Sequence, residues 1–170
     1  PKLEVKSTFD PMKKQVTVNV AQTQEEKFEF PLSIDVLENG KISRKEVWVT
    51  AKAKNDFVFD VTKNPELINA NPEGLLLSDI KQDKTPEQLY LQYTTAKDLY
   101  SKYTAIEEAK DQVSKNPFAD KLYAAALKDK FYRNRLLALE GLPEDPKSFL
   151  ADVEKLAQND EKNLVKGAAI

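Results

Sequence analysis

Apolar and polar residues alternate along short runs between residues 3 and 61. A period of two places successive side chains on opposite faces of a strand, so each run predicts a half-buried strand. Asn39-Gly40 separates two of the runs and is typical of a tight hairpin turn, and we expect further turns at Asp10-Pro11 and Asn55-Asp56. Pro31 interrupts a run, which predicts an edge or a bulge, because proline cannot donate a ladder hydrogen bond. The runs comprise residues 3–7, 16–21, 28–36, 47–49 and 57–59.

In the second half of the chain the apolar spacing changes to three and four residues, which predicts helices. Thr85 can cap the first helix, Pro86 suits its first turn, and Gln88 completes a capping box. Asn116-Pro117 and Asp145-Pro146 are expected to begin two further helices. The first helix is predicted to carry one apolar stripe, formed by Leu89, Gln92, Tyr93, Ala96, Leu99, Tyr100, Tyr103 and Ile106.

A pattern of an aspartate, a basic residue and a small residue occurs three times in this helical part. Its period of 31 to 33 residues indicates stacked helix pairs, in which alanine lets neighbouring helices approach closely. We expect each aspartate to cap the second helix of its pair, and each basic residue to pair with an acidic neighbour. The aspartates are Asp98, Asp129 and Asp160, and the basic, small and apolar positions are Lys102, Ala105 and Ile106, then Arg135, Ala138 and Leu139, then Lys166, Ala169 and Ile170.

These patterns predict an α+β chain of two modules. Residues 1–79 are expected to form an antiparallel β-sandwich of the immunoglobulin or fibronectin kind, since short strands joined by short turns pack as two sheets. Residues 84–170 are expected to form an all-α segment of HEAT-like repeats, after a transition at 64–83. The last repeat stops in mid-pattern at Ile170 and the first residue is not Met, so we expect an excised segment whose helical domain is truncated.

The composition excludes several kinds of chemistry. Among 170 residues there is no His, no Cys and only four Gly. The chain therefore offers no Ser-His-Asp triad, no Cys-His pair and none of the usual ligand sets of zinc, haem or iron–sulfur sites, and its scattered glycines do not form a phosphate-binding loop. We predict no catalytic residue, no cofactor-binding residue and no metal ligand in this chain.

The charge balance bears on partners and compartment. With 26 basic and 28 acidic residues the net charge is −2, which argues against binding to nucleic acid or to an anionic membrane surface. No apolar run reaches the roughly 18 residues that a membrane span requires. The lack of Cys fits a reducing cytoplasm, but a periplasmic protein without disulfides has the same composition, so both compartments stay open.

Several side chains have both a functional and a structural interpretation. Glu25-Glu26 and Glu107-Glu108 could form catalytic carboxylate pairs, but sequence neighbours diverge on a strand or helix, which favours solvated surface charge. All six tyrosines lie in the helical half and could line a groove that binds a peptide or partner. The spacing of Tyr93, Tyr100 and Tyr103 instead favours packing between helices.

Trp48 and two arginines also have both a functional and a structural interpretation. Trp48 could be a sugar-stacking platform on an outer face, although we favour packing against a neighbouring strand or domain. Arg133 and Arg135 could clamp a carboxylate with two parallel hydrogen bonds. Because Arg135 fits the repeat pattern, we favour a structural role for it.

Several phrases of the sequence stand in an order that resembles one known family. This order resembles the region that follows the catalytic domain in zinc aminopeptidases of the aminopeptidase N type, and the resemblance covers nearly the whole chain. Family members often carry Asp at the position of Asn71 and Arg at the positions of Lys102 and Lys166, which are mild departures. The phrases are Leu3-x-Val5-x-x-x-Phe9-Asp10, Val16-Thr17-Val18-x-Val20-x-Gln22-Thr23-Gln24, Phe28-x-Phe30-Pro31-Leu32-x-Ile34-x-Val36, Phe57-x-Phe59-x-Val61, Pro65-x-Leu67-Ile68-x-x-Asn71-Pro72-Glu73-Gly74, Gln92-x-x-x-Ala96-x-Asp98 and Lys102-x-x-Ala105-Ile106.

The resemblance implies a role without catalysis. In this family a small β-sandwich precedes helix pairs that arch over the active site, so the sandwich would be a spacer and the helices would begin the arch that encloses the peptide chamber. The family's His-Glu-x-x-His zinc motif, Glu ligand, catalytic Tyr and amine-binding Glu belong to the preceding domain, and a chain without His inherits none of these roles. We expect a non-catalytic fragment of a zinc aminopeptidase that removes N-terminal residues from peptides, with the zinc in the missing catalytic domain.

On this hypothesis the partner is the catalytic domain of the same parent chain. Peptide substrate would interact with this segment only indirectly. The alternative is a stand-alone binding or scaffold protein, with the sandwich as an adhesion module and the helices as an interaction surface; a pseudoenzyme relative is one version of it. An excised fragment would expose docking faces on the sandwich and at residues 164–170, and we expect such faces to promote self-association.

Overall fold

A computed structural model describes every residue from Pro1 to Ile170. The chain divides into two compact units, Pro1–Lys84 and Thr85–Ile170. The first unit, the sheet unit, contains seven strands in two sheets, and the second, the helical unit, contains six α-helices. The predicted α+β class is confirmed by this content.

The sheet unit contains a four-stranded sheet of order β5-β2-β1-β7 and a three-stranded sheet of order β4-β3-β6. All paired strands are antiparallel except β1 and β7, which are parallel, so the expected purely antiparallel arrangement is wrong at this edge. The strand β7 reaches the first sheet from β6 in the second sheet, and no hairpin reverses its direction. The strands are β1 (Lys2–Asp10), β2 (Gln15–Gln22), β3 (Phe30–Glu38), β4 (Lys41–Val49), β5 (Lys54–Asp60), β6 (Leu67–Ala70) and β7 (Asp79–Lys81).

One apolar cluster joins the two sheets. In β2 every second residue is buried, as the alternation predicts, and the buried apolar residues of β3 follow the same period from Phe30 to Val36. Residues of both sheets contribute to the same cluster, so the sheets pack face to face and bury their apolar sides against each other. Its buried members are Leu3, Val5, Val16, Val18, Val20, Phe30, Leu32, Ile34, Val36, Val49, Val61, Ile68 and Ala70.

Two of the three predicted turns are confirmed. Asn39 and Gly40 have φ values of 53° and 70° and join β3 to β4, which is the backbone of a type I′ hairpin turn. The Asp10 carboxylate accepts the N–H groups of Met12 and Lys13 in the turn between β1 and β2. Asn55-Asp56 lies inside β5, so the turn predicted there is wrong.

Pro31 lies in β3 opposite Trp48 of β4. On its other side β3 pairs with β6 only from Ile34 to Leu37, so no strand faces Pro31 there. The expectation of an edge position is confirmed, because the missing N–H of proline leaves no ladder bond unmade at this point.

The sequence pattern did not reveal β6 and β7, which lie in the expected transition at 64–83. All four residues of β6 are buried, so no alternation marks it, and β7 has only three residues. Strands this short and without a period of two carry no sequence pattern of their own.

The helical unit is built from three helix pairs. The capping box at Thr85 and Gln88 is present, and Asn116 caps α3. At Asp145-Pro146 the expectation is wrong, since a 3₁₀ turn at Lys147–Phe149 intervenes before α5 begins. The helices are α1 (Pro86–Thr95), α2 (Leu99–Ala109), α3 (Pro117–Ala126), α4 (Tyr132–Glu140), α5 (Leu150–Asn159) and α6 (Asn163–Ala168).

The single apolar stripe predicted for the first helix is divided between two helices. The chain breaks at 96–98, and the Asp98 carboxylate caps α2 by accepting the Ser101 N–H at 2.7 Å. Leu99, Tyr100 and Tyr103 are exposed rather than buried. The Asp98 cap therefore has more influence than the spacing of the apolar residues, because it starts a new helix with a different buried face.

Consecutive second helices contact each other: α2 contacts α4, and α4 contacts α6. At the repeat positions Ala105 and Ala138 are fully buried, which agrees with their expected role at close approaches between helices, whereas Ala169 is only half-buried. None of the six helices combines the length and the apolar character that a membrane span requires. The fully buried alanines are Ala105, Ala109, Ala119, Ala126 and Ala138.

Candidate functional site

The most concentrated chemistry in the helical unit is a series of ion pairs between successive repeats. Lys102 of α2 contacts the carboxylate of Asp129 at 2.9 Å, in the loop between α3 and α4. Arg135 of α4 contacts Asp160 in the same way, in the loop between α5 and α6. Each basic residue thus binds the aspartate of the following repeat, 27 or 25 residues further along the chain. The repeat pattern in the sequence includes these residues but does not show that their side chains meet.

The pair of Arg135 and Asp160 is buried and bidentate. Nε and Nη2 of the arginine donate to the two carboxylate oxygens at 2.6 and 2.8 Å, and Nη1 donates to the carbonyls of Asp129 and Lys130. The hydrogen bond from Arg135 holds the pKa of Asp160 below its ordinary value. The expected structural role of Arg135 agrees with this geometry, while Arg133 is exposed and donates to the Tyr132 hydroxyl.

The carboxylate of Asp129 accepts three hydrogen bonds. The Tyr93 hydroxyl donates at 2.5 Å, the Phe131 N–H at 2.8 Å and Lys102 at 2.9 Å. Burial alone would raise the pKa of Asp129, but the hydrogen bonds, first that from Tyr93, outweigh it and lower the pKa to about 2. Burial, reinforced by the neighbouring carboxylate, raises the pKa of Tyr93 above its ordinary value. Near pH 7 Tyr93 is therefore neutral and Asp129 is ionised, and both side chains are engaged in hydrogen bonds within the fold. Neither group is suited to proton transfer near pH 7.

The expected capping role holds for only one of the three aspartates. Asp98 is the N-cap of α2, whereas Asp129 and Asp160 accept the N–H of the residue two positions later, in the turn before their helices begin. Their side chains face the preceding repeat because the ion pair with Lys102 or Arg135 draws them there.

In the sheet unit the buried side chain of Gln22 closes the loop at 23–29. Its Nε2 donates to the carbonyls of Phe28 and Thr50 at 2.8 and 3.0 Å, and its Oε1 accepts the Phe28 N–H at 2.9 Å. Gln24 donates to the same Oε1 and accepts the Lys2 N–H. The Gln22-Thr23-Gln24 phrase is therefore a set of loop contacts rather than a site open to a ligand.

The phrase at 71–74 is also structural. Asn71 has a φ of 52°, and its side chain both accepts from and donates to the backbone of Leu76. Arg44 bridges Asp35 at 2.8 Å and Glu73 at 2.7 Å, and these hydrogen bonds raise the pKa of Arg44. Contacts of this kind hold the turn against β4.

A shallow concavity of about 540 Å³ lies on the sheet unit. Its apolar walls include Phe28 and Leu77, which are exposed, and its charged lining residues Lys2 and Asp79 lie at the surface. Without a buried polar group that would orient a ligand, this concavity does not have the features of a small-molecule site.

The carboxylate pairs singled out from the sequence stay at the surface. Glu25, Glu26, Glu107 and Glu108 are all exposed. No group of three or more acidic, His or Cys side chains is arranged to hold a metal ion. These four glutamates are therefore not brought together into an acid–base site.

The aromatic side chains divide differently from the expectation. Tyr93 and Tyr123 are buried between helices, as expected for Tyr93, but Tyr100 and Tyr103 are exposed. Trp48 is 57% exposed on the outer face of its sheet, so it is not packed inside the sheet unit, and the expected packing against a neighbouring domain stays a prediction. Trp48 points outward because it is opposite Pro31, whose side of β3 faces away from the shared core.

The fold and these contacts define an α+β protein that joins a two-sheet unit to three stacked helix pairs. No family model and no curated protein matches the sequence. Among solved structures, the chain resembles the crystal structure of Legionella pneumophila aminopeptidase A in complex with aspartic acid, with a TM-score of 0.64 and 16% identity. The match covers 98% of this chain and 21% of that one, so the chain has the fold of about a fifth of an aminopeptidase.

Proposed function

We propose that this chain is a non-catalytic part of a zinc aminopeptidase of the aminopeptidase N type, from the region after the catalytic domain. The sheet unit is the spacer, an immunoglobulin-like sandwich that docks on the catalytic domain. The helical unit is the HEAT-like beginning of an arch that encloses the peptide chamber. The observation that carries this proposal is the structural match to an aminopeptidase, which covers 98% of this chain and 21% of that one.

The contacts described above support a mechanical role. The ion pairs of Lys102 with Asp129 and of Arg135 with Asp160 link successive helix pairs, so an arch built from them resists bending. Exclusion of long peptides requires a wall of this kind rather than a reactive group. The phrases that carried the family resemblance are used for loop and helix contacts at Gln22, Asn71 and Gln92.

The absence of catalysis by the chain itself is tested with an aminoacyl-coumarin substrate. The purified chain is expected to release no fluorophore beyond the buffer rate, with or without added zinc. Hydrolysis that elutes together with the chain through two different chromatographic separations, and that persists after a chelator has removed contaminating metalloenzymes, would contradict the proposal.

The parentage is tested by sequencing the reading frame upstream of the codon for Pro1. We expect a helical segment with His-Glu-x-x-His, followed by a Glu ligand. A start codon at this place, or an unrelated domain, would refute the aminopeptidase origin.

The arch role is tested in the whole protein that this frame encodes. Asp160→Ala loosens the helix pairs, so we expect kcat/KM for long peptides to rise relative to dipeptides. Glu161→Ala is the matched control, since Glu161 is exposed and 3.9 Å from Arg135. An unchanged ratio, despite faster hydrogen exchange in α5 and α6, would exclude the arch role.

A second candidate is a stand-alone binding or scaffold protein. The observation that favours it is the exposure of Ile42 and Trp48 on one face of the edge strand β4. This candidate predicts a chain that is monodisperse at all concentrations in light scattering and a start codon upstream of Pro1. The fragment hypothesis predicts concentration-dependent scattering instead.

A further inference from the structure

The hairpin turn between β3 and β4 is held by the carboxylate of Glu66. This carboxylate accepts the Gly40 N–H at 3.2 Å and the Lys63 ammonium group at 2.7 Å, and the Asn39 N–H contributes a further hydrogen bond. These bonds, first that from Lys63, hold the pKa of Glu66 below its ordinary value, so the carboxylate is ionised near neutral pH. Asn39 and Gly40, with φ values of 53° and 70°, thus direct two successive backbone N–H groups at one anion.

The side chain of Asn39 is exposed and forms a second link to the same part of the chain. Its Nδ2 donates to the Thr62 hydroxyl at 3.3 Å, and that hydroxyl donates its own proton to the Glu38 carboxylate. Since a hydroxyl has a single proton to donate, Thr62 can only accept from the side chain at position 39. The link therefore requires a donor at this position, which an amide supplies and a carboxylate does not.

The chemistry of this turn follows from its sequence, because Asn39 is the only asparagine that is followed by glycine. Glycine has no side chain that would obstruct the approach of its backbone nitrogen to the preceding side chain. Once the Gly40 nitrogen has lost its proton to solvent, it can attack Cγ of Asn39 and form the N–Cγ bond of a cyclic imide. The Cγ–Nδ2 bond breaks, and Nδ2 takes a proton from solvent and leaves as ammonia. Water then opens the ring at either carbonyl, which leaves aspartate or isoaspartate at position 39.

We propose that Asn39 is a site of covalent self-modification by this deamidation, and that Glu66 controls the rate by holding the Gly40 N–H. The carboxylate slows the attack in two ways. Its negative charge opposes the loss of the Gly40 proton, because a like charge nearby disfavours an anion. Its hydrogen bonds also fix the peptide group, which has to turn towards Cγ of Asn39 before the new bond can form. The inference concerns this turn alone and does not depend on the proposed function.

The product of the reaction weakens the link between the turn and Thr62. A carboxylate at position 39 faces a hydroxyl whose proton is donated to Glu38, so an acceptor meets an acceptor and two negative charges lie close together. Isoaspartate also lengthens the backbone of a type I′ turn, whose geometry fixes the register of the two strands that it joins. Deamidation is therefore expected to release the segment at 62–66 from the hairpin.

The rate is measured on the tryptic peptide 28–41, in which Asn39 is the only asparagine. The full chain is incubated at pH 8 in oxygen-18 water, and mass spectrometry follows the label that enters with aspartate or isoaspartate. Glu66→Ala should deamidate about tenfold faster than the unchanged chain, because it lacks a charge-assisted hydrogen bond that holds the turn. Glu66→Gln keeps an acceptor but not the charge, so its rate should lie between the two.

Two matched variants separate the contact of Glu66 from general effects of charge and stability. Glu25→Ala removes the same charge from an exposed position in the loop at 23–29 and should leave the rate unchanged. Gln22→Ala weakens the sheet unit away from the turn, so it should accelerate deamidation much less than Glu66→Ala does. The fluorescence of Trp48 verifies that each variant stays folded during the incubation.

The consequence is measured by amide hydrogen exchange in the aged protein. Exchange at Thr62 and Lys63, whose N–H groups donate to Glu38, should become faster as the label accumulates. Asn39→Asp should reproduce this change, and Asn39→Gly should do so less, because glycine tolerates the positive φ and adds no charge.

Three outcomes would overturn the proposal. Absence of label at Asn39 in both the unchanged chain and Glu66→Ala would show that this asparagine is not a modification site. Equal rates in these two proteins, or an equal acceleration in Glu66→Ala and Gln22→Ala, would exclude control by Glu66. Exchange at Thr62 that is the same before and after deamidation would exclude the release of the segment at 62–66.

Discussion

The guanidinium of Arg135 and the carboxylate of Asp160 form two hydrogen bonds, at 2.6 and 2.8 Å, and the two side chains are only 9% and 3% exposed. Arg135 lies in α4 and Asp160 lies in the loop before α6, so one ion pair joins two successive helix pairs. Both charges have been removed from water, and each depends on the other for compensation.

Removing one partner of this pair should destabilise the helical unit strongly. Asp160→Ala leaves the buried Arg135 charge uncompensated, and we expect a loss of about 3–5 kcal/mol. Unfolding in urea followed by circular dichroism at 222 nm measures the helical unit. Glu161→Ala should change the stability by less than about 0.5 kcal/mol, and equal losses in both variants would contradict the importance of the buried pair.

The ionisation of Asp129 makes the stability of the folded protein depend on pH. Its pKa is about 2 in the folded protein, against about 3.9 in an unfolded chain, so its contribution is complete above about pH 4 and is lost as the pH falls towards 2. Asp129→Asn should lower Tm at pH 6 and should flatten the decline of Tm between pH 4 and 2. Glu154→Gln is the control on an exposed position of α5; if Asp129→Asn declines with acid as steeply as the control, the assignment is wrong.

Gln22 should be indispensable to the loop at 23–29. Gln22→Ala leaves the Phe28 N–H and the carbonyls of Phe28 and Thr50 without their partner, at a cost of about 1–3 kcal/mol. Fluorescence reports on the sheet unit alone, because the only tryptophan is Trp48. Gln15→Ala, which removes an exposed bond to Asp60, should have a much smaller effect.

Two glycines should respond in opposite directions to the same substitution. An alanine methyl group at position 141 would overlap the hydroxyl of buried Tyr123, which donates to the Ile106 carbonyl, so Gly141→Ala should cost about 1–3 kcal/mol. Gly167 lies in α6 with open space around it, and Gly167→Ala should stabilise by about 0.5 kcal/mol. Thermal unfolding of the two variants side by side tests the sign, and a stabilising Gly141→Ala would show that Tyr123 can move aside.

Local patterns were sufficient where neighbouring residues decide the structure. The alternation in β2, the turn at Asn39-Gly40 and the capping box at Thr85 were all predicted, because their hydrogen bonds and faces involve residues close in sequence. The predicted stripe through Tyr100 and Tyr103 is wrong because α1 ends at Thr95 and the Asp98 cap starts α2 with a different buried face. The spacing of apolar residues does not show where a cap interrupts a helix.

Sequence patterns alone were enough to predict the class of the fold, the division between strands and helices, and a repeat with an aspartate and a basic residue. The folded structure was needed to show which aspartate each basic residue binds, that β7 lies parallel to β1, and that Trp48 faces outward. The difference follows from the range of the interactions: periodicity and capping act within a few residues, whereas ion pairs and sheet order depend on groups that folding brings together from 25 or more residues apart.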